Sequence, residues 1–182
     1  MKTLILNGSP RKNGDTISLI EKLTEQLNGE FKIIDTYYSD VSPCVDCRYC
    51  WDNDGCSLND GFAEINDYIE NCDNIVIASP IYFSQLTGKM LDVCSRFQTY
   101  FAAKYFRKQN IEIKAKKGAV ILVGGGDGNA EDAYKTACTI MSHINVKEIY
   151  PLVGSFKTNE LSAKEDNEAI MDIDNIAKFL NK

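Results

Sequence analysis

Four cysteines, Cys44, Cys47, Cys50 and Cys56, fall within 13 residues of a 182-residue chain. Thiolates set that close can hold a metal ion, hold a cluster, or stay as plain thiols. A structural zinc site normally draws on two separated pairs, and no second pair is present. Two consecutive C-x2-C steps are instead the spacing by which close cysteines wrap several corners of one iron–sulfur cluster. Spacing alone leaves cluster, zinc and free thiols open. Pro43 and Gly55 bracket the segment, which reads as an insertion at 43–57. The chain has seven cysteines, an odd number, and no export signal at its start, so a reducing cytoplasm is the expected setting. Cys72, Cys94 and Cys138 fall on or beside apolar helical stripes and are expected in the core.

Three further loops carry chemistry. In Gly8-Ser9-Pro10-Arg11-Lys12-Asn13-Gly14-Asp15-Thr16, a short apolar run gives way to a helical stripe. A helix N-terminus there offers free N–H groups and a favourable dipole to an anion. Ser9, Thr16 and Arg11 add side-chain donors. No Gly-Lys-[Ser/Thr] follows, so this is not a Walker A loop. It reads as a seat for one terminal phosphate. Asp15 is expected to cap a helix beginning at Thr16, although its charge opposes a phosphate. The second loop, Ser79-Pro80-Ile81-Tyr82-Phe83, sets two aromatics past an apolar strand, a shelf for a flat ring. The third, Gly124-Gly125-Gly126-Asp127-Gly128-Asn129, allows backbone close to a ligand.

The elements that must position these loops follow from periodicity. Strands are expected at Thr3–Leu6, Phe31–Asp35, Asn74–Ser79, Ala119–Val123 and Glu148–Val153. Helical stripes run through Ile17–Leu27, Phe62–Cys72, Leu86–Phe101, Ala133–Ile144 and Ile170–Leu180. Five βα repeats with nearly all-apolar third and fourth strands predict an α/β fold, an open parallel sheet covered on both faces. Ligands then bind outside the carboxyl ends of the strands, where all three loops lie.

Composition narrows the function. The net charge of −6 argues against an electrostatic grip on nucleic acid, and no apolar run approaches the ~20 residues of a membrane span. The single histidine, His143, removes histidine-rich metal sites, and no catalytic acid or base stands out. Lys104, Arg107, Lys108, Lys114, Lys116 and Lys117 crowd 14 positions with one acid, Glu112; they read as a solvated face.

The Gly8–Thr16 loop, the Ser79–Phe83 segment and residues Val123–Glu131 resemble the flavodoxin-like NADPH-dependent FMN reductase family, over nearly the whole chain. The resemblance implies a flavodoxin-like doubly wound, five-stranded parallel sheet in order 2-1-3-4-5, as one domain over 1–182. It implies that Ser9, Arg11, Asn13, Asp15 and Thr16 surround the FMN phosphate, with Asp15 where the family usually has Asn. Pro80, Ile81, Tyr82 and Phe83 would border the isoalloxazine, with Gly125 and Gly126 at its other edge. Arg96 matches a family arginine, while Ser95 replaces the usual Asp before it. The cysteine segment and Leu58–Phe62 resemble the iron–sulfur flavoprotein branch, which implies a [4Fe–4S] cluster on Cys44, Cys47, Cys50 and Cys56. An oxidoreductase follows, with NAD(P)H as co-substrate, a small-molecule acceptor or carrier protein as partner, and a homodimer or tetramer as assembly. The aromatics of Leu86–Phe106 point to the same assembly. The contrasting reading is a non-enzymatic electron carrier or redox-sensing module.

Overall fold

The structure is a computed structural model that describes residues 1–109 and 113–182. Glu112 of the basic run lies outside the described residues. Strands β1 (Lys2–Asn7), β2 (Glu30–Asp35), β3 (Asn74–Pro80) and β4 (Lys116–Val123) are parallel and ordered β2-β1-β3-β4. The fifth position is filled by two pieces, β5 (Val146–Ile149) and β6 (Val153–Ser155). The strand expected at Glu148–Val153 is therefore broken. Pro151 has no N–H to donate to the ladder, although Tyr150 before it still donates to the Gly118 carbonyl at 2.8 Å. From Gly118↔Ile149 to Ile121↔Val153, three steps along β4 face four on its partner, so β6 resumes after a bulge.

The central strands are buried on both faces, and their alternation divides the core. Leu4, Leu6, Ile75, Ile77, Val120 and Leu122 face α3 (Phe62–Asn71), α4 (Gly88–Ser95) and α6 (Glu131–His143). Ile5, Val76, Ala78, Ala119 and Ile121 face α1 (Asp15–Thr24) and α7 (Asn167–Leu180). This is the doubly wound, flavodoxin-like arrangement, in the order 2-1-3-4-5. A short α2 (Tyr49–Asp52) lies in the cysteine segment. The long stripe from Leu86 forms two helices, α4 and α5 (Gln98–Tyr105). Between them, Arg96 and Phe97 donate backbone bonds to Val93 and Cys94, three residues back, and the tighter turn redirects the chain. Among the described residues, no helix is long and apolar enough to cross a membrane.

The basic run does not form one solvated face. Lys116 is buried, Lys114 pairs with Asp73, Lys117 donates to the Phe179 carbonyl, and Arg107 grips the cysteine segment. Cys72 and Cys94 are buried, as expected of core residues, and Cys138 is half-buried. Burial pushes the Cys72 thiol up to about 11 and the Cys94 thiol up to about 12.

Candidate functional site

The first loop is built outward from Asn7. Its side-chain amide donates to Asp35 (2.6 Å), and its side-chain oxygen accepts the Ser9 N–H (3.0 Å). Thr87 donates to the Gly8 carbonyl (2.9 Å). Gly8 has no room for a side chain, since a Cβ would stand 2.9 Å from Ser79 Oγ and 3.0 Å from Thr87 Oγ1. Ser9 Oγ accepts the Arg11 N–H (3.2 Å) and curls the loop toward α1. That helix opens at Asp15 with Gly14 as its N-cap and no side chain capping it. Its first-turn N–H groups are thus not claimed by a side-chain cap, the arrangement that suits an anion.

The Asp15 cap expected from the sequence is absent. Asp15 is the first helical residue, so its carboxylate lies too far along the turn to cap it. Instead one carboxylate oxygen accepts the Ser162 hydroxyl and the Ala163 N–H, both at 2.8 Å. The two donors offset its charge beside the loop.

A cavity of about 210 Å³ gathers Ser9, Arg11, Asp15, Thr16, Pro80, Ile81, Tyr82 and Gly125 from three strand-end loops. Asn13, Phe83 and Gly126 are not among its lining. Asn13 lines an adjoining cavity with Arg11 and Ser162. Phe83 projects fully into solvent from a tight turn in which it and Ser84 have φ of 50° and 61°. Gly126 is exposed, with open space where a side chain would go.

A fourth wall went unseen in the sequence. Thr158 and Asn159, in the segment after β6, also line the cavity. Lys157, Thr158 and Asn159 donate backbone bonds to Gly126, Gly124 and Gly125 (2.8, 3.1 and 3.4 Å). The Gly125 position is filled against the Asn159 side chain, 2.9 Å from where a Cβ would be. With the Asp15 bonds, this segment staples the first loop to the third. The only sequence signal was a run of polar residues, Lys157-Thr158-Asn159-Glu160, which any surface loop shares.

The four loop cysteines meet at a second cavity of about 400 Å³. Cys44, Cys47, Cys50 and Cys56 all line it, with Trp51, Leu58, Arg96 and Phe101. Two arginines hold the segment. Arg96 donates to the Ser42 carbonyl (2.9 Å), Asp60 (2.6 Å), Cys56 Sγ (3.3 Å) and the Leu58 carbonyl (3.3 Å). Arg107 donates to the Cys50 carbonyl and to Asp54. The Ser95 hydroxyl accepts the Cys44 N–H (2.9 Å) and so anchors the segment's start. Trp51 stacks on Phe106 with ring centroids 4.1 Å apart.

Burial pushes the Cys50 thiol up, and negative charge on Cys44, Cys56 and Cys47 adds to that. Among the described residues, no three His, Cys, Asp or Glu side chains converge as for a single metal ion. A cluster asks something different, four thiolates spaced around a volume. The four thiols that line this one cavity are the donor set such a cluster takes, with a buried guanidinium beside one sulfur. The first cavity likewise fits FMN, with an uncapped helix N-terminus and hydroxyls at one end and Ile81 and Tyr82 at the other.

The chain is similar to an iron-sulfur flavoprotein from Methanosarcina thermophila, 27% identical over 135 residues, which are 72% of this chain and 68% of that one. A second iron-sulfur flavoprotein, from Archaeoglobus fulgidus, is 30% identical over 124 residues, 66% of this chain and 60% of its own. The chain thus spans about three-fifths to two-thirds of these relatives' length. A solved NAD(P)H:quinone oxidoreductase from Methanothermobacter marburgensis superposes with a TM-score of 0.79 at 20% identity, covering 100% of this chain and 96% of the other, which shows a shared fold. The sequence matches the NADPH-dependent FMN reductase family over residues 1–158, and the chain belongs to that family of oxidoreductases.

Proposed function

We propose that this protein is an FMN-dependent oxidoreductase that uses NAD(P)H and carries a [4Fe–4S] cluster on Cys44, Cys47, Cys50 and Cys56. The observation that carries the reading is the pairing of two separate cavities, one shaped by the three strand-end loops and one walled by all four thiols.

Ser9, Arg11, Thr16 and the first-turn N–H groups of α1 hold the FMN phosphate. Pro80, Ile81, Tyr82 and Gly125 border the ring, with Thr158 and Asn159 beside them. When bound, FMN supplies exchange of electron pairs with a nicotinamide and of single electrons with a second centre. The chain supplies placement and exclusion of water. The titratable side chains lining that cavity are Arg11, Asp15 and Tyr82, and Asp15 is already engaged by two donors. No side chain is assigned as acid or base. The acceptor is a small molecule or a carrier protein, and the working unit is a homodimer.

The test is a visible spectrum of protein purified without oxygen, followed by iron analysis after reconstitution with iron and sulfide. About four irons per chain are expected from the cluster chemistry, with flavin absorbance alongside. Cys47→Ser should lower iron and leave FMN bound. Reconstituted protein that holds flavin but no iron would leave a plain FMN reductase. Steady-state turnover with NADPH and a quinone separates an enzyme from a carrier.

A further inference from the structure

We infer that Arg96 is the positioning residue of the cysteine cavity: it closes the cysteine loop at both ends, donates to the Cys56 sulfur, and raises the reduction potential of the cluster held there. This rests on the iron–sulfur reading above.

Arg96 sits in the break between α4 and α5, and its side chain is wholly buried. A buried guanidinium is expensive unless its donors are met. One carboxylate, Asp60, balances the charge at 2.6 Å. The other contacts are not placed for neutralisation. The Ser42 carbonyl lies just before the first cysteine, and Cys56 Sγ and the Leu58 carbonyl lie at and after the last. One rigid fork thus pins the entry and exit of the segment, which a flexible ammonium could not do with the same geometry. The guanidinium also lies 4.8 Å over the Phe62 ring, and its Nε is buried with no partner. The group is held in place even at the expense of one unmet donor.

The remaining charges around the cavity are more exposed. Arg48 is 63% exposed and faces Asp46 at 3.9 Å. Arg107 points at the Cys50 carbonyl and Asp54. Among the described residues, Arg96 is the one cation lining this cavity that is both buried and in contact with a sulfur. Adding one electron to a cluster adds one negative charge to its sulfurs and irons. A fixed cation and a hydrogen bond to sulfur favour that more negative state. Asp60 acts in the opposite sense, which makes the pair a matched control.

The experiment is an anaerobic potentiometric titration of the reconstituted protein, poised with a chemical reductant and read by electron paramagnetic resonance of the reduced cluster. Iron count and flavin absorbance report loading and folding. Arg96→Gln should disfavour reduction at least tenfold, a drop of about 59 mV for a one-electron couple. Arg96→Lys should recover part of that drop. Asp60→Asn should move the potential upward, a direction that general loosening would not produce. If Arg96→Gln keeps FMN but takes up no iron, the closing role stands and Asp60→Asn decides the potential. Loaded variants that titrate at the wild-type potential would overturn the inference while leaving the cluster reading intact. Wild-type protein without iron would bring down both.

Discussion

Arg11 and Asp15 stand side by side at the first loop but do opposite things. Arg11 is exposed and lines both this cavity and the one adjoining it. Its replacement by Ala removes a charge-assisted bond and should weaken FMN binding by roughly 1.5–3 kcal/mol, about ten- to hundredfold. Unchanged affinity in a fluorescence titration would move the phosphate elsewhere. Asp15 is engaged by Ser162 and Ala163 through a single oxygen. An Asn side-chain oxygen can accept the same two bonds without the charge, so Asp15→Asn should bind FMN as tightly or more tightly. Asp15→Ala frees the segment that walls the cavity, and affinity should fall. The same titration across both variants separates charge from latch: weaker binding by Asp15→Asn would show that the carboxylate charge itself is needed.

At the scale of elements, ties across the amino-terminal edge of the sheet carry a pH dependence. Asp73, just before β3, pairs with Lys114 and accepts the Lys2 N–H at 2.7 Å, joining β1 to the approach of β4. The Lys114 bond pulls its carboxyl below the usual range; partial burial opposes that, and the Lys2 N–H reinforces it. Its folded pKa thus lies under the unfolded value of about 3.9. The stabilisation is present above pH ~4 and is lost as pH falls through the folded pKa. With Lys114 more than half exposed, screening holds the effect to about 1 kcal/mol or less. Urea unfolding should find Asp73→Asn less stable than the native chain at pH 7, with the deficit shrinking as pH falls below about 4; a deficit that does not change with pH would assign it to packing. This tie joins positions 71 and 41 residues apart, and such pairings are what the sequence hides. Strand-end loops were legible because Gly8–Thr16, Ser79–Phe83 and Gly124–Asn129 interrupt apolar runs with unusual residues. The Thr158–Asn159 wall was not, because its role comes from backbone bonds to glycines more than 30 positions away. Pro151 was visible, yet whether a strand resumes beyond it depends on β4 as a neighbour. Arg96 is legible by resemblance alone; its hold on Ser42 and Cys56 exists only in three dimensions.

For the whole molecule, the carboxyl edge of the sheet carries large apolar side chains that face solvent. Val45, Tyr49, Tyr82 and Phe83 are all exposed there. Phe83 is the sharpest case. Tyr82 and Gln85 exchange backbone bonds at 2.9 and 3.0 Å, closing a two-residue turn around Phe83 and Ser84. Both turn residues have positive φ, where Asn and Gly are favoured. Holding Phe in that region costs about 1–2 kcal/mol, and its ring gains no contact within one chain. Replacement by Gly removes the strain but adds about 0.5–1 kcal/mol of unfolded-state freedom. Within a lone monomer, Phe83→Gly should therefore be neutral or stabilising by up to about 1.5 kcal/mol. In a homodimer that covers this edge, the same change removes a buried aromatic anchor and should weaken association at least tenfold, the scale of ~1.4 kcal/mol or more for such anchors. Sedimentation velocity over a concentration series reads the second effect, and thermal unfolding at the most dilute point reads the first. A native protein that sediments as a monomer at micromolar concentration sinks the dimer. A dimer whose dissociation is untouched by Phe83→Gly places its interface away from this edge, and the exposed ring then has a different partner to explain.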